Sequence, residues 1–162
     1  MVRISDVGTG EVVRVVGEGG RGHTDEISAV SFSPVKATLV ASCGKDKTVR
    51  VADVGTGEEE RELATQHTDQ VRFITFSADS RFIASCSGDR TVRVTSVESG
   101  ALVRLMNTGH VAGVWSVSFN DSGTLLVSGG DDTTVRICAV ATGALVRVLK
   151  VCRHTKQSTR KL

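Results

Sequence analysis

At 162 residues the chain has the length of one compact domain, and 40% apolar against 23% charged residues is a globular balance rather than a disordered one. Twenty Lys and Arg against 18 Asp and Glu leave a formal charge of +2, too even for the field alone to recruit nucleic acid or a membrane surface. Seventeen Gly with one Pro, five Phe, one Trp and no Tyr describe thin aliphatic strands joined by tight turns.

The chain opens on VRIS from Val2, an apolar-Arg alternation of period two, followed by a turn and VVRVV after Gly10. GEGGRG at 17–22 formally matches the G-x-G-x-x-G of a dinucleotide loop. The following HTDEISAVSF reads as a strand, so no helix N-terminus is at hand for a pyrophosphate, and the glycines lengthen an exposed loop instead. In the next strand Ile27, Val30 and Phe32 are spaced by three and then two, which predicts a β-bulge. LVASC and TVRV follow as strands, and EEERELA is a degenerate fourth. The cycle then repeats with Val71, Ile74 and Phe76, FIASC, TVRV and LVRL, and again with Val114, Val117 and Phe119, LLVSG, TVRI and LVRVL. Gly-containing turns separate the strands, as hairpin connections require.

Histidine supplies the ruler. His23, His67, His110 and His154 lie 44, 43 and 44 residues apart. Each of the first three is followed by a Phe nine residues on (Phe32, Phe76, Phe119), then by Ser42, Ser85 or Ser128, and four residues later by Asp46, Asp89 or Asp132. Periods of this size mean stacked supersecondary units, each unable to bury its apolar faces without a neighbour.

Gly22-His23 and Gly109-His110, the FSP at 32–34, the Ala-Ser pairs at 41 and 84, and the D-x-T-V-R-apolar runs together resemble the WD-repeat family of β-propellers. The resemblance implies an all-β fold of four-stranded antiparallel blades, usually seven to a ring. Here it implies a partial β-propeller of about three and a half blades over residues 1–150: a half blade at 1–19 and blades at 20–64, 65–107 and 108–150, with a basic tail at 151–162. An open blade face of ~400 Å² left wet forfeits roughly 10 kcal/mol at ~25 cal/mol per Å². The expectation is therefore a piece of a larger propeller, or one completed by a partner's blades.

In the family the third strand ends in a Trp whose indole N–H closes a hydrogen-bond chain with the strand Ser, the His and the loop Asp. That position reads Ser5, Ala52, Thr95 and Cys138 here. What remains is one His, Ser and Asp per unit: His23 with Ser42 and Asp46, His67 with Ser85 and Asp89, His110 with Ser128 and Asp132. A base beside a hydroxyl, oriented by a carboxylate, is also the logic of a hydrolase triad. Repetition in every unit, with each Ser inside a buried strand, instead describes a structural network that pins the loops.

Other candidates reduce to packing. Cys43 and Cys86 hold equivalent positions and read as small core residues. Cys138, Cys152 and His154 lack the close second pair of a zinc site, so neither a metal nor a cofactor is expected. Arg3, Arg50, Arg93 and Arg136 in third strands, and Arg14, Arg61, Arg104 and Arg147 in fourth strands, lack the aromatic interleaving of a nucleic-acid surface. Their stems are expected between blades, with their heads in water or beside carboxylates. MVRISDVG has charges where a secretory signal needs an apolar run, and the longest uncharged stretch, 137–146, falls short of the ~18 residues of a membrane span. The expected setting is intracellular and cytoplasmic.

In family terms, the loops before the first strand and between the second and third strands share one face. Ser28, Arg72 and Trp115 point to it, flanked by Glu26, Gln70 and Gly113 and by Lys45, Gly88 and Asp131. Trp115 falls off the core-facing set of its strand, and an aromatic freed beside an Arg is hot-spot chemistry. The expected function is a non-catalytic scaffold that presents these loops to protein partners in a larger complex, with no small-molecule substrate. The alternative is a purely structural segment, or truncated paralogue, packed within a larger assembly.

Overall fold

The structure, a computed structural model, describes residues 2–16, 22–55 and 58–150. Fourteen strands follow one another: β1 (Val2–Ser5), β2 (Val12–Val16), β3 (Ile27–Phe32), β4 (Leu39–Gly44), β5 (Val49–Asp53), β6 (Glu58–Leu63), β7 (Val71–Phe76), β8 (Phe82–Ser87), β9 (Val92–Ser96), β10 (Leu102–Met106), β11 (Val114–Phe119), β12 (Leu125–Gly130), β13 (Thr134–Ala139) and β14 (Leu145–Lys150). They form the two-stranded pair β1-β2 and three antiparallel sheets in sequence order, β3-β4-β5-β6 (sheet I), β7-β8-β9-β10 (sheet II) and β11-β12-β13-β14 (sheet III). The architecture is an all-β partial propeller. No helix occurs among the described residues, so none is long and apolar enough to cross a membrane.

Period-two alternation sends neighbouring side chains of one strand into different cores. In β8, Ile83 joins Val71, Ile74 and Phe76 against Ala41, Cys43, Val49, Val51 and Leu63 of sheet I. Its neighbour Ala84 joins Cys86, Val92, Val94 and Met106 against Val114, Val117, Leu126 and Cys138 of sheet III. Sheet II is thus buried on both faces, each large aliphatic contributing ~1.5–3 kcal/mol. The first strand of each sheet makes the crossing: β7 packs on β3 and β4, and β11 on β7 and β8. The matching pair of sheet I shows what that packing removes from water, since Val30 and Phe32 are 55% and 54% exposed where Ile74 and Phe76 are 2% and 7%.

The odd spacing in the first strands is a register shift in the same place each time, between Ile27 and Ala29, Val71 and Phe73, and Val114 and Ser116. Ser28, Arg72 and Trp115 are the residues inside these bulges. The degenerate fourth strand still pairs, with Leu63 opposite Val49 and fully buried, so one anchoring side chain holds β6 in the sheet. Gly10, Gly100 and Gly143, which precede the fourth strands, share φ = 73°, the left-handed turn that glycine enters without steric cost. Residues 17–21 of the glycine-rich loop, and Cys152, His154 and the rest of the basic tail, lie outside the described residues.

Candidate functional site

Two constellations stand on the end of the sheets where β3, β7 and β11 begin. The first lies beneath the surface. His67 Nδ1 is 2.9 Å from Asp89 Oδ2 and its Nε2 is 2.9 Å from Ser85 Oγ. His110 repeats this with Asp132 at 2.9 Å and Ser128 at 3.0 Å, and His23 with Asp46 at 2.8 Å and Ser42 at 2.9 Å. A carboxylate only accepts, so Nδ1 carries the proton, and in the neutral ring Nε2 accepts from the Ser hydroxyl. The same carboxylates take the backbone N–H of Thr24, Thr68 and Val111, which follow the histidines, and of Thr48, Thr91 and Thr134 two residues on. Each Asp therefore ties its own turn to the loop entering the first strand. The turn needs that hold, because Lys47, Arg90 and Thr133 sit at φ = 70°, 71° and 61° without being glycine.

Burial works against the Asp89 carboxylate, but hydrogen bonds from His67, Thr91 and the Thr68 N–H outweigh it and hold the carboxyl well below its usual range. Asp132 is depressed in the same way, burial being outweighed by Thr134 and His110, and Asp46 likewise by Thr48, Thr24 and His23. Ser42, Ser85 and Ser128 are buried.

The second constellation is at the surface. The bulge aims Arg72 of sheet II across to sheet III, where its guanidinium lies 4.0 Å from the Trp115 ring centre. Arg72 Nη1 is 3.1 Å from Asp131 Oδ2, and the Trp115 indole N–H donates to Asp131 Oδ1. The Trp115 and Arg72 hydrogen bonds lower the Asp131 carboxyl. Trp115 keeps 55% of its surface open.

One backbone bond recurs under this rim. Lys45 N donates to Glu26 O at 2.8 Å, Gly88 N to Gln70 O at 3.0 Å and Asp131 N to Gly113 O at 2.9 Å. Lys45 and Glu26 also form an ion pair at 2.6 Å, and Ser28 is exposed in its bulge. The nine rim positions thus lie on one end of the sheets, with Arg72, Trp115 and Asp131 in mutual contact and Gly113 bonded to Asp131 through backbone. Gln70 and Gly88 meet through backbone alone.

Two of the third-strand arginines reach main chain as well as the expected carboxylates. Arg93 Nη1 donates to Thr65 O and Arg136 Nη1 to Thr108 O, both at 2.7 Å, while their Nε atoms donate to Thr91 and Thr134. Their heads bind main chain inside the network and also lie beside carboxylates, as expected: Arg136 Nη2 is 3.4 Å from Asp132 Oδ2 and Arg93 Nη2 3.9 Å from Asp89 Oδ2, while Arg50 Nη2 pairs with Glu62 Oε2 at 3.0 Å. The recurrence of Arg two residues after that Thr was the signal available for this role.

A cleft of about 510 Å³ that no sequence pattern marks lies at the opposite end, between Leu39 and Val51 of sheet I and Phe82 and Val97 of sheet II. Arg61 crosses it to the carbonyls of Val97 and Glu98. Beside it, Ser33 Oγ donates to Ser80 Oγ at 2.7 Å across the two sheets.

Repeated antiparallel sheets with a His, Ser and Asp buttress in each define a propeller-repeat protein. The WD domain, G-beta repeat family matches residues 13–53, 58–96 and 102–138, and the chain belongs to it. Members of this family generally mediate protein–protein interaction and are typically non-enzymatic scaffolds. The chain is similar to Coronin-7 of Mus musculus, 38% identical over 60 residues that make 37% of this chain and 6% of that protein. It is also similar to the nuclear distribution protein PAC1 of Coccidioides posadasii (strain C735), 40% identical over 68 residues that make 38% of this chain and 14% of that protein. The match thus spans a small fraction of either relative's length.

Proposed function

We propose that the chain is a non-catalytic interaction segment that presents its rim to a protein partner within a larger complex, with Trp115, Arg72 and Asp131 as the anchor. The supporting observation is the state of Trp115: half exposed, yet held by a stacked guanidinium and a carboxylate. A large amphipathic ring already fixed in place loses little freedom on binding, the property that makes Trp and Arg prominent in hot spots. Glu26, Ser28, Lys45, Gln70, Gly88 and Gly113 frame it. Residues 1–150 act on this reading as one propeller segment, in which the His-Ser-Asp sets are internal buttresses.

Among the described residues no group of His, Cys, Asp and Glu could hold a metal ion, and the reading uses no cofactor, nucleic acid or membrane. Cys43, Cys86 and Cys138 are free and buried, which suits a reducing, intracellular setting. A second reading, a structural segment packed within an assembly, draws support from the exposed Val127, Val148 and Leu149 of sheet III.

The test is affinity capture from extracts of the source cells, identification of the bound proteins, and titration of each against wild type, Trp115→Ala and Arg72→Ala. Each substitution is expected to weaken binding by ~1–3 kcal/mol with little change in melting temperature. Equal binding by wild type and the double variant overturns the rim as the site.

A further inference from the structure

The cleft between sheets I and II is a seam that the two sheets leave unfilled at the end away from the rim. Its inner wall is apolar: Val51 is buried, and Leu39, Phe82 and Val97 are half-buried. Its mouth carries Lys36, Arg61 and Arg81, all exposed. A volume of about 510 Å³ lies within the range of small-molecule sites. Both walls are packed sheets, and the 2.7 Å bond from Ser33 Oγ to Ser80 Oγ beside the cleft ties one to the other, so the site is preformed.

The cations at the mouth converge. Arg61 reaches over from β6 to the carbonyls of Val97 and Glu98, and Val97 in turn donates its N–H to Arg81 O at 2.9 Å. The Arg81 guanidinium lies 5.8 Å from the ring centre of Phe82, so cation and apolar wall are neighbours. Among the described residues none of Lys36, Arg61 and Arg81 forms an ion pair, whereas Arg50, Arg72, Arg93 and Arg136 all do. Two of the acids beside them are engaged in their own turns: Asp79 Oδ1 accepts from Ser77 Oγ and Arg81 N, and Asp53 Oδ1 from Gly55 N. Glu98 is exposed at the mouth.

The three cations do not follow from the repeat. Counted from the start of the second strand, the seam between sheets II and III has Asp79 in place of Lys36 and Thr124 in place of Arg81. Only Arg104 is kept, opposite Val94 as Arg61 is opposite Val51. Stacking one sheet on the next therefore does not require this charge.

We infer that the cleft binds a small aromatic carboxylate, its ring between Leu39 and Phe82 and its carboxylate on the Arg61 and Arg81 guanidiniums. A guanidinium presents a planar fork that matches a carboxylate, and two of them without acidic partners at one mouth favour an anion. The ring is needed as well as the charge, because the inner wall is covered from water only by an apolar body. The inference goes beyond the rim described above, since it concerns the opposite end of the sheets and a small molecule rather than a protein.

The test is an NMR titration of the full chain with 3-phenylpropionate, with its amine counterpart 3-phenylpropylamine, and with acetate. Phenylpropionate is expected to shift the amides of Leu39, Phe82 and Val97 saturably at about millimolar concentration or below, and to leave Gly113 and Trp115 unmoved. Neither the amine nor acetate should saturate these shifts in that range. Arg81→Gln, which removes an exposed head, should weaken binding roughly tenfold, and Glu98→Gln should tighten it about twofold. Should Arg81→Gln fold poorly, Arg81→Lys keeps the charge without the planar fork and is expected to weaken binding about threefold.

No saturable shift with phenylpropionate, shifts confined to the rim, acetate binding as tightly as phenylpropionate, or undiminished affinity of a folded Arg81→Gln overturns the inference. So does a stronger response to the amine that Glu98→Gln abolishes, which would give the cleft to a cation.

Discussion

Gly113 and Arg72 occupy one space between them: a Cβ on Gly113 would lie 2.8 Å from Arg72 Nη1. The guanidinium can lie flat over Trp115 and reach Asp131 because the neighbouring loop residue has no side chain. Gly113→Ala should push Arg72 off the indole at small cost to stability, since the displaced group is the end of a flexible chain. The expected outcome is a change in Trp115 emission and in its quenching by iodide, with a melting temperature close to wild type. An unchanged quenching constant would show that the guanidinium does not lie where the added methyl group needs room.

Asp89 and Asp132, with Asp46, are depressed in the folded protein. A carboxyl whose folded value lies below its unfolded value of ~3.9 contributes stability that is fully present above that value and is lost as pH falls through the folded one. The contribution of these carboxyls to unfolding free energy should be constant above about pH 5 and fall steeply below ~4. Asp89→Asn is expected to lower stability at neutral pH and to reduce the acid slope, read from urea unfolding at a series of pH values. A slope equal to wild type would mean that Asp89 is not a source of the acid sensitivity.

Thr95 stands where the family carries its indole, and its hydroxyl is fully buried without a hydrogen-bond partner. An unsatisfied buried hydroxyl costs ~1–3 kcal/mol, and valine has the same outline without the polar atom. Thr95→Val should raise the melting temperature, by an amount corresponding to about 1 kcal/mol. A fall would place an ordered water on that oxygen.

Ser80 Oγ accepts from Ser33 Oγ at 2.7 Å and from Val35 N at 3.0 Å, so one buried hydroxyl of sheet II ties down a turn of sheet I. Ser80→Ala removes both bonds and leaves the Val35 N–H without this partner. A loss of ~1–3 kcal/mol is expected, with the turn at 33–38 exchanging its amide hydrogens faster. Unchanged exchange there would show that the bridge does not restrain the turn.

The fold was legible because every strand carries its own period-two signal and every unit repeats the last. The step from Ile27 to Val30 marked a bulge, and the bulge then explains why Ser28, Arg72 and Trp115 leave the core. What the letters could not show is contact between units. Arg72 and Asp131 are 59 residues apart and sit in different sheets, so no local pattern links them. The destination of Arg93 was hidden for a different reason, because it binds the carbonyl of Thr65, and a carbonyl has no letter.

Sheet II is the one four-stranded sheet among the described residues with both faces covered by another, and every strand pairing joins neighbours in sequence. Stability in such an array is a sum over units and the seams between them, so it need not be lost all at once. Amides of β8 and β9 should open only with the whole chain, while those of β1-β2 and β14 fray at far lower cost. The short sequence distance between paired strands also lowers the entropy of closing each loop, so this β-protein should collapse from its middle outward faster than strand content alone suggests.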